Sequence, residues 1–298
     1  MSTKTLVNIN GKVVTPELAT VSVFDRGFLY GDSVYEVTMT KNGIPFMMEA
    51  HLDRLESSAS KIGLPLPFNR DEITNQVINT VKELGSTKCY VRIVCTRGEG
   101  EITLDPTADQ VGNFILITKE LPEYPRHWYE KGVWMVISDV VRNHQRSTDP
   151  SVKSGNYLNN VLAMGEAKRA GAFDAIMLNH QGMVSEGTTS NIWMVKDETF
   201  ITPPLDAGLL GGITRQSLLD MGKNNGLKML EENISPEQIK AADEVFLTST
   251  TKEIVPIVKI DDQIIGNAQP GVNTRKLHVM YQELMENHYK SEKSRLNI

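Results

Sequence analysis

The sequence is sparing in the features that mark several kinds of protein. Two cysteines, Cys89 and Cys95, are too few for a disulfide framework. The apolar runs are short. "VWMVI" (133–137) and "AIML" (175–178) are strand-sized, against the roughly 20 residues of a membrane helix, so no membrane partner is expected. No basic block occurs beyond "KSEKSR" (290–295), and the net charge is −6, so the electrostatic footprint of a nucleic-acid binder is missing. The six histidines are scattered and neither HExxH nor CxxC is present, which leaves no zinc pattern and no expected metal. The opening "MSTKTLVNINGKVV" has neither an apolar signal core nor a small-residue cleavage site. A cytoplasmic setting is therefore expected. What remains is an ordinary globular composition, 40% hydrophobic and 23% charged over 298 residues, enough for one large core or two moderate ones. A small-molecule partner is favoured.

Patterning divides the chain into two domains. "SVYEVTMTKNGIPFMM" reads as a hairpin turning at Asn42-Gly43, "EAHLDRLESSASKIG" as a helix, and "NRDEITNQVINTVKELG" as a second helix with Ile73, Val77, Ile78 and Val81 at helical spacing. With the strands "CYVRIVCTRG" and "VGNFILITKE" they make a small α+β domain over 1–121. "LPEYPRHWYEKG" carries two prolines and no period, which suits an interdomain linker over 122–132. A larger domain over 133–298 follows, with many short strands interrupted by helices, one of them expected to begin near Lys153.

Four stretches could carry chemistry. In "DPSVKSGNYLNNVLAMGEAKRAG" (149–171) Lys153 precedes a helical stripe of Leu158, Val161 and Leu162, so it projects from an expected helix entrance. A partly desolvated lysine loses its proton more easily, as attack on an aldehyde requires. Glu186 lies in the tight, small-residue stretch "SEGTTSN", where one acid could keep a ring nitrogen protonated. "LLGGITRQSLLDMG" (209–222) offers glycines, then Ile213 and Thr214 at a helix start, an arrangement that suits phosphate. "FLTSTTKEI" (246–254) ends a strand in Thr248, Ser249, Thr250 and Thr251, a candidate second anion lip. Each has a plainer reading: a solvated lysine, a turn acid bonded to its own backbone, a capped helix, a hydroxyl-rich strand end. Arg54 likewise reads as a snorkelling helix residue or as a permanent cation for a buried phosphate. Cys89 and Cys95, six apart on a strand, share one face and read as buried hydrophobes.

The stretches "FDRGFLYGDSVYEV", "HLDRL", "YVRIVCTRG", "KSGNYLNNVLA", "VSEGTTSNIW", "LLGGITR" and "FLTSTTKEIVPI" come in the order and spacing of the class IV aminotransferases. The chain resembles that family over nearly its whole length. These are the fold-type IV pyridoxal 5′-phosphate enzymes, which include branched-chain aminotransferases, D-amino acid aminotransferases and aminodeoxychorismate lyases. The resemblance implies an α+β fold with a small N-terminal α/β domain and a larger cofactor-binding domain built on a mostly antiparallel, strand-rich core flanked by helices. It implies that Lys153 forms the Schiff base with the cofactor aldehyde and shuttles the substrate proton. Tyr157, taken as one helical turn beyond Lys153, is similar to the tyrosine bonding the cofactor phenolate, and Glu186 to the acid at the pyridine nitrogen. Arg54, Ile213, Thr214, Ser249 and Thr250 match the phosphate cup, with Thr189 and the apolar ring contact Leu210 also on the cofactor. Tyr30, Tyr35, Val37, Tyr90, Arg92, Thr250 and Thr251 match substrate-side positions. A homodimer is implied, each active site completed by a loop of the partner, a role that would suit "GEITL" (100–104).

The branch is divided. Tyr35-Glu36-Val37 looks like the D-amino acid branch, yet the Arg and His that trap the substrate carboxylate there are missing from "EGEITLDP" (99–106). Tyr90, Arg92 and the "LDP" loop resemble the branched-chain pattern. The expectation is therefore a ping-pong transaminase for branched-chain or other hydrophobic L-amino acids, with 2-oxoglutarate or pyruvate as acceptor. The alternative is a D-amino acid or (R)-amine transaminase, since Val37 in place of a glycine narrows the pocket. A lyase of the aminodeoxychorismate type, hinted at by Thr38, is a second alternative, and a cofactor-carrying protein without turnover a third.

Overall fold

The structure is a computed structural model that describes residues 3–108 and 111–296. It is α+β. The chain forms two compact units, and neither is a continuous segment. One gathers the residues up to Glu123, Val152–Asn156 and those from Met285 onward; the other gathers Tyr124–Ser151 and Tyr157–Leu284.

The first unit contains β1 (Thr5–Ile9), β2 (Lys12–Val14), α1 (Arg26–Tyr30), β3 (Ser33–Lys41), β4 (Ile44–Pro45), α2 (Met48–Lys61), α3 (Arg70–Leu84), β5 (Lys88–Glu99) and β6 (Val111–Glu120). Its sheet has the order β2-β1-β6-β5-β3-β4, antiparallel throughout. The β3–β4 hairpin turns at Asn42 and Gly43, with φ values of 52° and 82°, the left-handed pair that a tight two-residue turn demands. Asn69 and Glu72 close a reciprocal capping box at the start of α3, and Gly85 ends it in the left-handed region. Alternation then sorts the sheet's faces. Val34, Cys89, Val91, Ile93 and Cys95 join the core with Leu52, Leu55, Ile73, Val77 and Val81 of the helices. Cys95 is fully buried there, and burial pushes its thiol up to about 12. The opposite face carries Tyr35 and Val37 of β3 and Tyr90 and Arg92 of β5, with Val37 directly across from Arg92.

The second unit contains α4 (His127–Glu130), β7 (Val133–Ile137), α5 (Leu158–Ala170), β8 (Asp174–Leu178), β9 (Val184–Gly187), β10 (Asn191–Lys196), β11 (Thr199–Thr202), α6 (Ile213–Asn224), β12 (Met229–Glu231), α7 (Pro236–Lys240), β13 (Glu244–Ser249), β14 (Glu253–Ile260), β15 (Gln263–Ile264) and α8 (Val272–Leu296), whose last residues are grouped with the first unit. The sheet order is β12-β11-β10-β13-β14-β7-β8-β9, with β15 on β14. Pairs β11–β12, β7–β14 and β7–β8 are parallel and the others antiparallel. Its core runs through Val133, Ile192, Val245, Leu247, Val255 and Ile257, with Trp128 and Tyr129 packed against it. The stretch expected as a linker thus includes a helical turn that docks its aromatics on this core. Among the described residues, no helix is long and apolar enough to cross a membrane.

Two local expectations are corrected. Lys153 is not at a helix entrance: its carbonyl accepts from Tyr35 N–H at 2.9 Å, Ser154 bridges Val34, and Gly155 N–H donates to the Ser33 carbonyl at 2.9 Å. These β-type bonds to β3 occupy the backbone groups a helix would need, so α5 starts at Leu158 with Tyr157 as its N-cap. Tyr157 consequently shares no helical face with Lys153. The stripe Leu158, Val161, Leu162 also faces outward, at 70%, 60% and 53% exposure, while Asn160, Ala163 and Ala167 are the buried positions of α5.

Candidate active site

In the first unit, the strand bonds on either side of Lys153 fix its backbone, and its N–H donates to Ser58 Oγ of α2 at 3.2 Å. The ammonium lies 4.4 Å from the centroid of the Tyr35 ring. The Arg92 guanidinium lies 4.0 Å from the same centroid. One buried phenol thus brings together two of the expected substrate-side residues and the expected catalytic amine. Val37 and Tyr90 share that strand face, with the Lys119 ammonium 5.1 Å from the Tyr90 ring. Tyr30 ends α1, with the Arg26 guanidinium 5.7 Å from its ring.

Glu36 points the other way, into the core side beneath α2. Its carboxylate receives Arg54 Nε at 2.7 Å and Nη2 at 2.8 Å, and lies 2.8 Å from His51 Nδ1. Burial alone would push this carboxyl up, but the Arg54 charge and the bonds from Arg54 and His51 hold it well below the ordinary carboxylate range. Burial pushes His51 down, so the ring is neutral and Nδ1 is the donor to Glu36. His51 Nε2 is buried with no hydrogen-bond partner. Arg54, expected as a phosphate cation, makes a bidentate ion pair with Glu36 through Nε and Nη2. Thr38 is buried on this side too, its hydroxyl donating to the Phe46 carbonyl at 2.7 Å, and it gives no support to the lyase alternative.

In the second unit, Glu186 sits on β9 opposite Met177 of β8, with the bend following it. Arg142 Nε donates to one carboxylate oxygen at 2.7 Å and Leu210 N–H to the other at 3.1 Å. Asn191 fixes the same loop from β10, donating to the Leu210 carbonyl at 2.9 Å. Leu210 is thus placed by its main chain next to the acid. Helix α6 begins at Ile213 with Gly212 as N-cap and no side chain capping its first turn, which leaves an anion-seeking helix start. The Thr214 hydroxyl is within 3.3 Å of the Tyr281 hydroxyl, so any anion contact there falls to the main chain.

The turn between β13 and β14 contains Thr250 and Thr251, and Ser249 Oγ accepts from Lys252 N–H at 3.3 Å. Lys252 Nζ donates to Thr189 Oγ1 at 3.3 Å, and burial lowers its amine below the ordinary lysine range. Asp174 shifts upward through burial, with the Thr188 hydroxyl donating to it at 2.6 Å.

A sequence model described as "Amino-transferase class IV" matches residues 33–260. The chain belongs to the class IV aminotransferase family. This aminotransferase is 37% identical to a Methanocaldococcus jannaschii protein provisionally named a branched-chain-amino-acid aminotransferase, over 93% of this chain and 96% of that one. It is 34% identical to the D-alanine aminotransferase of Bacillus licheniformis, over 93% and 95% of the two chains. Its fold superposes on a T.th. branched-chain amino acid aminotransferase solved with pyridoxamine 5′-phosphate at a TM-score of 0.91, with 28% identity and coverage of 97% and 96%. The aminotransferase is therefore a fold-type IV, pyridoxal-phosphate-dependent enzyme.

Two residues around this aminotransferase's candidate site have no role in the reading of the sequence, Glu36 and Arg142. Glu36 carries a signal there: an acid in the middle of a buried strand, followed by His51 and Arg54, three apart on one face of the next helix. Arg142 carries none. It sits in an irregular segment with no period, and only the folded chain carries it to Glu186.

Proposed function

We propose that the chain transfers the amino group of a branched-chain or other hydrophobic L-amino acid to 2-oxoglutarate or pyruvate, by ping-pong turnover. The observation that supports this reading best is the placement of the Lys153 ammonium and the Arg92 guanidinium on one ring, that of Tyr35. An amino acid brings an amine and a carboxylate together, and a permanent cation one ring away from a reactive lysine suits that pair better than it suits a simple amine.

The residues present fit pyridoxal phosphate. The buried Glu186 carboxylate, held on both oxygens, suits a ring N–H. The uncapped start of α6 suits a phosphate, and the buried, unpartnered Thr248 Oγ1 and Ser190 Oγ are polar atoms that a polar ligand could engage. When bound, the cofactor supplies an aldehyde that takes up an amine and a ring that draws electrons from the bonds at the substrate α-carbon. With the cofactor bound, Lys153 would be the base that takes the proton from the substrate α-carbon and holds it for return. Glu186 keeps the ring nitrogen protonated, and Arg142 orients the Glu186 carboxylate. Ile213 and Thr214 N–H groups hold the phosphate, with Ser249, Thr250 and Arg54 as its further contacts. Tyr157 orients the phenolate side, while Thr189 and Leu210 hold the ring. Tyr90 and the N–H groups of Thr250 and Thr251 hold the substrate carboxylate. Arg92, the permanent cation on the Tyr35 ring, adds its charge on the carboxylate side, and Tyr30, Tyr35 and Val37 shape the side-chain pocket.

A second reading keeps the chemistry and changes the substrate hand. Val37 stands across from Arg92, and its branched side chain takes space on the face that carries Tyr35 and Tyr90. Each methylene shifts preference by about 1–3 kcal/mol in such a pocket, enough to admit D-amino acids or (R)-amines as minor substrates. The enzyme is further proposed to work as a homodimer, because Leu18, Phe24, Phe28, Ile102 and Leu104 of the first unit are all more than half exposed, and in the cytoplasm, which its two cysteines and lack of a disulfide framework suit. Product formation from L-amino acids, D-amino acids and chiral amines against both keto acids tests the reading. The expected order is L-leucine and L-valine first; turnover of D-alanine alone would replace the first reading by the second.

A further inference from the structure

The turn joining β13 to β14 contains a backbone step that side-chain-bearing residues rarely take. Glu253, the first residue of β14, has a φ of 60°. Such a step persists only where its surroundings hold it, and it concentrates at functional sites. Four sets of contacts hold this one. Lys252 N–H donates to Ser249 Oγ at 3.3 Å, and the Tyr129 hydroxyl donates to the Lys252 carbonyl at 3.1 Å. Lys252 Nζ donates to Thr189 Oγ1 at 3.3 Å. Glu253 Oε2 lies 2.9 Å from His278 Nε2 of α8 and accepts from Gln282 Nε2 at 3.3 Å. The His278 and Tyr129 rings stack with centroids 5.6 Å apart, so the groups that grip consecutive residues of the turn also grip each other.

We propose that Glu253 is a positioning residue for the substrate carboxylate: its tie to α8 through His278 and Gln282 maintains the left-handed step that aims the Thr250 and Thr251 N–H groups. This rests on the assignment of those N–H groups under Proposed function. The Glu253 and His278 side chains are only 16% and 17% exposed, so water competes weakly for the contact. Misplaced donors lose an anion without losing the reacting groups, which separates this role from one in chemistry.

Two variants test it in the holoenzyme. Glu253→Gly adopts a φ of 60° without strain but lacks the anchor; Glu253→Gln keeps an acceptor for His278 and Gln282. The expected result for Glu253→Gly is a roughly tenfold higher KM for L-leucine and a roughly tenfold weaker inhibition by 4-methylpentanoate, a carboxylate without an amine. Its kcat and cofactor dissociation constant stay close to the parent's, and Glu253→Gln restores both carboxylate readouts. Parent-like inhibition by 4-methylpentanoate in Glu253→Gly would overturn the inference while leaving the transaminase reading standing. A proportional loss of cofactor affinity, kcat and KM would also overturn it, since that marks a merely structural role. If the parent enzyme turns over no amino acid, the reading itself fails and this inference with it.

Discussion

Arg54 grips Glu36 at two points, Nε to Oε1 at 2.7 Å and Nη2 to Oε2 at 2.8 Å, with the carboxylate side chain fully buried. Removing one partner strands the other charge in the core. Glu36→Gln is therefore expected to lower stability by about 3 kcal/mol, seen as a fall in the urea midpoint with little change in slope. A midpoint equal to the parent's would show that the pair contributes nothing net.

The same cluster sets an acid limit. The Glu36 carboxyl is held below its ordinary range, so its contribution is present above the unfolded value of about 4.3 and is lost as pH falls through the folded one. His51 is also held down, by burial, so below an unfolded value of about 6.5 the unfolded chain binds a proton that the folded chain refuses. Both signs agree. Stability is expected to fall from about pH 6.5 downward, and His51→Gln is expected to flatten the upper part of that fall in denaturation curves taken at each pH.

Arg142 and Glu186 form the second buried pair, 2.7 Å apart with side chains 8% and 6% exposed. Arg142→Met leaves Glu186 with the Leu210 N–H but without a counter-charge. The expected cost is about 3 kcal/mol, or a drop in Tm of roughly 5 °C. Cofactor titration followed by absorbance should show weaker binding in the same variant.

Gly212 starts α6, and a methyl group built there would stand 1.8 Å from Asn191 Oδ1. Gly212→Ala should displace Asn191 from the Leu210 carbonyl and shift the first turn of the helix, at about 1–3 kcal/mol. A cofactor dissociation constant unchanged in this variant would remove the α6 start from the phosphate assignment.

The sequence discloses these features unevenly. Period-two patterns place β5 and β6, where buried and half-buried residues alternate, and helical patterns place α2 and α3, each of which buries one face against the core. The close packing around Glu186 is legible in the small-residue run that contains it. The setting of Lys153 is not, because its bonds to β3 join residues more than a hundred positions apart and leave no local period. The α5 stripe misleads for the opposite reason: the pattern is real, but Leu158, Val161 and Leu162 face outward. Arg142 and the Glu253 step are products of tertiary contact and leave no trace in local pattern.

Everything assigned to this aminotransferase turns on which amine holds the cofactor. Borohydride reduction of the holoenzyme, followed by digestion and peptide mass measurement, reads it directly. The account requires the phosphopyridoxyl mass on the peptide containing Lys153. The same mass on Lys252, whose amine burial makes easier to deprotonate, or on no lysine at all, would contradict it.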